Sequence, residues 1–80
     1  HHTAYFNRAL ARQRLADIQG ALEDFGKTLE INPQMADAYY FRALILLDNK
    51  RFDEACSDLN QAMSKGISTA EILIQQYCNQ

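Results

Sequence analysis

The sequence has no tryptophan, a single proline, three glycines and two cysteines, and its only histidines are His1 and His2. Each scarcity excludes something. Two cysteines without a histidine beyond position 2 give half of a closed zinc shell at most, so no metal and no cofactor is expected. The cysteines lack a general base, there is no glycine-rich phosphate loop, and Ser57, Ser64 and Ser68 fall in helical or capping positions, so catalysis has little to work with. No enzyme is expected. Basic excess is missing too: eight Lys and Arg against ten Asp and Glu leave a formal charge of −2, which argues against nucleic acid as a partner. Long apolar runs are absent, since Ala43 to Leu47 is cut off by Asp48, Asn49, Lys50 and Arg51, and membrane insertion is not expected. What is present, 48% hydrophobic and 22% charged residues in an 80-residue chain, is the composition of one folded domain at most. Residues 1 and 2 carry no secretory or transit pattern and read as a tag remnant without a functional role. So short a chain buries a limited core, which suggests a fragment of something longer.

The chain repeats itself. Tyr5-Phe6-Asn7-Arg8-Ala9-Leu10 aligns with Tyr39-Tyr40-Phe41-Arg42-Ala43-Leu44 at an offset of 39 − 5 = 34 residues, and the same offset pairs Ala4 with Ala38, Ala21 with Ala55 and Asp24 with Asp58. Within each unit the period is helical. Ile18, Leu22, Phe25 and Leu29 form one apolar stripe, and Phe52, Cys56, Leu59 and Met63 form its counterpart. A further helical stretch precedes each stripe, at about 3–15 and 35–48, so each unit reads as a helix hairpin. Asp17 suits an N-cap, Asp53 and Glu54 suit a first turn where the helix dipole favours anions, and Asn32-Pro33 and Gly66 stop the second helices. Ser68-x-x-Glu71 has the form of a capping box opening a last helix, whose buried face would be Ala70, Leu73, Ile74 and Tyr77.

A 34-residue hairpin of this kind resembles the tetratricopeptide repeat family. The opening aromatic of the first helix is matched by Tyr5 and Tyr39, and the small residue one turn later by Ala9 and Ala43. Second-helix positions are matched by Ala21, Phe25 and Thr28, then by Ala55, Leu59 and Ala62, and the closing proline by Pro33. Arg8 and Arg42 depart from the leucine more usual at their position, and Ile67 stands where a second proline would fall. The resemblance implies an all-α, right-handed α-α superhelix. Residues 3–33 would form repeat 1, residues 34–67 repeat 2, and residues 68–80 a C-terminal capping helix over the last apolar face. Upstream repeats would have preceded residue 3.

Two pairings follow from a level rule, by which antiparallel helices set residues side by side when their numbers sum to twice the centre of the turn. It predicts a charge ladder in the order Arg8, Asp24, Arg42, Asp58, fixing register along the stack; four independent solvated charges is the alternative. It also sets Cys56 opposite Cys78, where packed axes 8 to 10 Å apart leave room for a disulfide. Some bacterial repeat proteins have a similar C-terminal arrangement of alanine-cysteine and tyrosine-cysteine. The other reading, Cys56 as a small buried hydrophobe and Cys78 near a frayed end, stays open. A bridge would imply a periplasmic or exported protein, free thiols a cytoplasmic one.

Resemblance to the family places function on the inner face lined by the first helix of each unit. Its groove positions are Phe6, Leu10, Gln13 and Arg14 in repeat 1 and Tyr40, Leu44, Leu47 and Asp48 in repeat 2. Aromatic and aliphatic rungs suit a helix or extended peptide of a partner protein. They do not suit the polar clamp with which some family members hold an acidic C-terminus. Apolar residues at helical spacing serve equally as core, and Arg8, Arg12 and Arg14 could steer an acidic ligand or form a solvated face. The expected function is a protein interaction module; the alternatives are a structural cap of a longer solenoid with its binding site upstream, or a self-association module forming a homo-oligomer.

Overall fold

Apolar side chains recurring every three or four residues cannot all reach water, so each stripe needs a partner, and five helices supply one another's. The computed structural model describes residues 1–78. The helices are α1 (His2–Arg14), α2 (Ile18–Ile31), α3 (Ala36–Asp48), α4 (Phe52–Ser64) and α5 (Ala70–Tyr77). Helix α1 packs on α2, α3 on both α2 and α4, and α5 on α4, giving a body of 35 × 24 × 16 Å. Among the described residues there is no strand, and no helix is long and apolar enough to cross a membrane.

Alanine at the helix crossings lets the hairpins close, and two pairs of these positions, Ala9 with Ala43 and Ala21 with Ala55, match at the 34-residue offset. Ala9, Ala21, Ala38, Ala43, Ala55 and Ala62 are all fully buried, and a methyl group at each crossing keeps neighbouring backbones near the short end of helix packing distances. Around them lie two apolar clusters. The first joins Ala9, Ala21, Phe25, Leu29, Ala38 and Ile45 across α1, α2 and α3; the second joins Ala43, Leu59, Ala62, Ala70 and Ile74 across α3, α4 and α5. Tyr39 packs against both.

The two hairpin turns are built alike. Ala16 N–H donates to the Gln13 carbonyl and Asp17 N–H to the Arg12 carbonyl; Lys50 and Arg51 repeat the pattern with Leu47 and Leu46. Both sets are the paired C-terminal bonds of a Schellman motif, which needs a left-handed residue after the C-cap. Ala16 and Lys50, 34 positions apart, supply it at φ 60° each. Gly66 supplies it after α4 at φ 113°, with Ile67 N–H donating to the Ala62 carbonyl. Asp17 caps α2 by accepting from Gly20 N–H at 3.1 Å.

Helix α5 differs from its sequence reading in two ways. Ser68 makes no capping box: α5 starts at Ala70 after Thr69, with no side-chain cap. The N–H groups of Ala70, Glu71 and Ile72 instead donate to the carbonyls of Ile67, Ser68 and Thr69, a tight backbone turn that leaves no first-turn donor for a Ser68 hydroxyl. Tyr77 is not part of the buried face, being 36% exposed; its ring stacks on Phe52, with centroids 6.1 Å apart. Ala70 and Ile74 are buried and Leu73 is half-buried. Phe52 and Met63 remain partly exposed at the two ends of the α4 stripe. A disulfide between Cys56 and Cys78, with Cα atoms 5.8 Å apart, ties α5 to α4.

Candidate functional site

A charged pair joins the two helices of each hairpin. Arg8 donates through Nε and Nη2 to the two carboxylate oxygens of Asp24 at 2.8 and 2.9 Å, and Arg42 does the same to Asp58 at 2.7 and 2.8 Å. Both aspartates are buried, so each needs such a fork to offset the loss of hydration. The Arg8 hydrogen bonds hold the Asp24 carboxyl below the usual carboxylate range against the opposing effect of burial, with the charges of Arg12 and Lys27 adding to them. The same bonds raise the Arg8 guanidinium, and Asp58 raises that of Arg42. Each arginine also lies over the tyrosine one turn earlier, Arg8 over Tyr5 at 5.7 Å and Arg42 over Tyr39 at 5.8 Å.

The expected ladder breaks between the repeats. Among the described residues no ion pair links Asp24 to Arg42; the second cation on Asp24 is Arg12, whose Nη1 is 3.4 Å from Oδ2. Asp24 therefore has its partners within its own hairpin, and the level rule, which treats helices as parallel rods, overlooked a residue one turn from Arg8 on the same helix. The structural equivalent of Arg12 is the buried Leu46. Room for Arg12 comes from Gly20: a Cβ there would lie 2.9 Å from Arg12 Cδ and crowd the Asp17 carboxylate. Repeat 2 has Glu54 in that place, paired instead with Arg51 at 2.8 Å. The pair of substitutions at 12 and 20 could have been noticed as departures from the 34-residue register.

The residues expected to line a groove lie along α1 and α3. Phe6, Leu10 and Gln13 are half-buried and Arg14 is exposed; Tyr40, Leu44 and Leu47 are half-buried and Asp48 is exposed. Phe41 brings the two aromatic rungs together, its ring 6.0 Å from Phe6 on one side and 6.0 Å from Tyr40 on the other. Phe6 also meets Phe25 edge-on at 5.9 Å. Phe6 and Leu10 thus support the first cluster, and Tyr40 and Leu47 the second, while each retains part of its surface. A cavity of about 360 Å³ opens elsewhere, where Leu22, Arg42, Leu46, Arg51, Glu54, Ser57 and Asp58 meet between the repeats. Its charged lining is paired as Arg42 with Asp58 and Arg51 with Glu54. Among the described residues no cluster of three or more His, Cys, Asp or Glu side chains could hold a metal ion.

Comparison with known proteins agrees with this architecture. The sequence profile of the tetratricopeptide repeat matches residues 2–35 and again residues 36–64. The chain belongs to the tetratricopeptide repeat family. Members of this family are in general protein interaction modules, typically without catalytic activity. The two matched repeats correspond to the α1/α2 and α3/α4 hairpins, and α5 follows them. A relative, an uncharacterized protein of Methanocaldococcus jannaschii, is 35% identical over 51 residues, covering 64% of this chain. The matched segment spans 59% of that protein.

Proposed function

We propose that this tetratricopeptide domain binds a partner protein along the groove of α1 and α3, with Phe6, Leu10, Tyr40 and Leu44 as its apolar contacts. The observation that carries the reading is the aromatic run Phe6, Phe41, Tyr40, in which the outer two rings are half-buried. Rings fixed on one side by packing and open on the other present area at little entropic cost, since the helices that hold them are formed before the partner arrives. Side chains of this kind suit a peptide that contributes its own apolar residues.

The test is a pull-down from native lysate with wild-type protein and with a Tyr40→Ala, Leu44→Ala variant whose helicity has been checked by circular dichroism. Loss of a specific partner from the variant supports the groove. Retention of the same partners by both would refute it and favour the cap, a role for which α5 covering Leu59 and Ala62 with Ala70 and Ile74 is suited.

A further inference from the structure

We infer that the groove reads a dipolar peptide, an apolar segment carrying an acidic residue that meets Arg14 and a basic residue that meets Asp48. This rests on the groove reading above and adds the chemistry of the partner. Arg14 and Asp48 occupy the same position in successive repeats, 48 − 14 = 34, with opposite charge. Both are exposed, and among the described residues neither takes part in an ion pair, whereas the other arginines of these helices are engaged: Arg8 and Arg12 with Asp24, Arg42 with Asp58. Lys50, two residues beyond Asp48, sits in the turn and forms no ion pair with it among the described residues.

Helix electrostatics sets the two apart. The C-terminal end of a helix carries partial negative charge and favours cations. Arg14 obeys this, sharing the last turn of α1 with Arg12. Asp48 opposes it, closing α3, whose last turn holds no basic residue. A partner's cation placed there meets both a carboxylate and a helix end. The placement is also constrained. Phe6 and Phe41 rings lie 6.0 Å apart, and Arg14 and Asp48 stand beyond Leu10 and Leu44, at the C-terminal ends of α1 and α3. The partner's acid and base therefore lie at one end of its apolar segment, beyond the side chains that cover Leu10 and Leu44.

A phage-displayed library of random peptides, selected in parallel on the wild-type protein and on an Arg14→Asp, Asp48→Arg variant, tests the polarity. Wild type should enrich apolar peptides that carry both an acid and a base at one end, and the exchanged variant should enrich the same pattern with the two charges reversed in order. A synthetic copy of an enriched peptide should bind an Asp48→Asn variant about two- to fivefold more weakly than wild type at low salt, and the difference should fade as salt rises. Asp48→Asn also serves where the double exchange loses helicity. Enrichment of apolar peptides without the charge pair, abolished by Tyr40→Ala with Leu44→Ala, overturns the polarity and leaves the groove standing. Enrichment insensitive to those two substitutions, or no enrichment, overturns both.

Discussion

At the scale of single residues, the left-handed positions and the buried carboxylates decide most. A non-glycine residue in the left-handed region costs about 1 to 2 kcal/mol, and both hairpin turns carry one, at Ala16 and Lys50. Ala16→Gly and Lys50→Gly should each stabilise the fold by about 1 kcal/mol after the added freedom of the unfolded chain is subtracted. Gly66→Ala should destabilise by a similar amount, for conformational reasons alone, because a Cβ at Gly66 meets nothing within 4 Å. Urea midpoints of the three variants check this, and a lowered midpoint for Ala16→Gly would contradict it. Asp24 carries a pH signature. Its folded carboxyl titrates below the ordinary value of about 4, so the stability it supplies is full above that value and is lost as pH falls through the lower folded one. Asp24→Asn should lower the thermal midpoint at neutral pH by on the order of 5 °C. The gap from wild type should begin to narrow below about pH 4 and go on closing as pH falls through the lower folded value. An unchanging gap between pH 7 and pH 3 would show that the Arg8 and Arg12 contacts add nothing through charge.

Among the elements, α5 depends most on a covalent tie. Eight residues fall short of the 12 to 15 or so that an isolated helix needs in water, and α5 has only Ala70 and Ile74 buried. The Cys56 to Cys78 bridge closes a loop across a sequence separation of 22, for which chain entropy gives about 3 kcal/mol of stabilisation. Reduction by a dithiol, or a Cys56→Ser, Cys78→Ser variant, should lower stability by about that amount and speed amide exchange in α5 before α1 and α2. Equal urea midpoints for oxidised and reduced protein would show that α5 docks without the bridge. The Phe52 and Tyr77 stack belongs to the same end of the molecule, and its two rings should become mobile when the bridge opens.

For the whole molecule, what the sequence made legible was whatever the 34-residue register repeats. The hairpins, the Ala9 with Ala43 and Ala21 with Ala55 crossings and the Arg8 to Asp24 and Arg42 to Asp58 forks recur at that offset, so one unit vouches for the other. The Phe41 bridge between Phe6 and Tyr40, the backbone turn that replaces the Ser68 cap and the inter-repeat cavity were not legible, because each depends on how helices tilt and meet rather than on which face they bury, while Arg12 and Gly20 showed only as departures from the register. The same repetition governs cooperativity. Two apolar clusters share α3 and Tyr39, and repeat arrays couple only through nearest neighbours. Phe25, fully buried and in contact with Phe6, belongs to the first cluster alone. Phe25→Ala should cost about 3 to 5 kcal/mol, a large share of the stability of so small a domain. The loss should fall unevenly: α1 and α2 should lose amide protection first, while α4 and α5, held by Leu59, Ile74 and the disulfide, keep more of theirs. Hydrogen exchange followed residue by residue makes the comparison. Equal loss across all five helices would mean that Tyr39 and α3 couple the repeats into one unit, and a partner bound across α1 and α3 would then stabilise the entire chain rather than its first half.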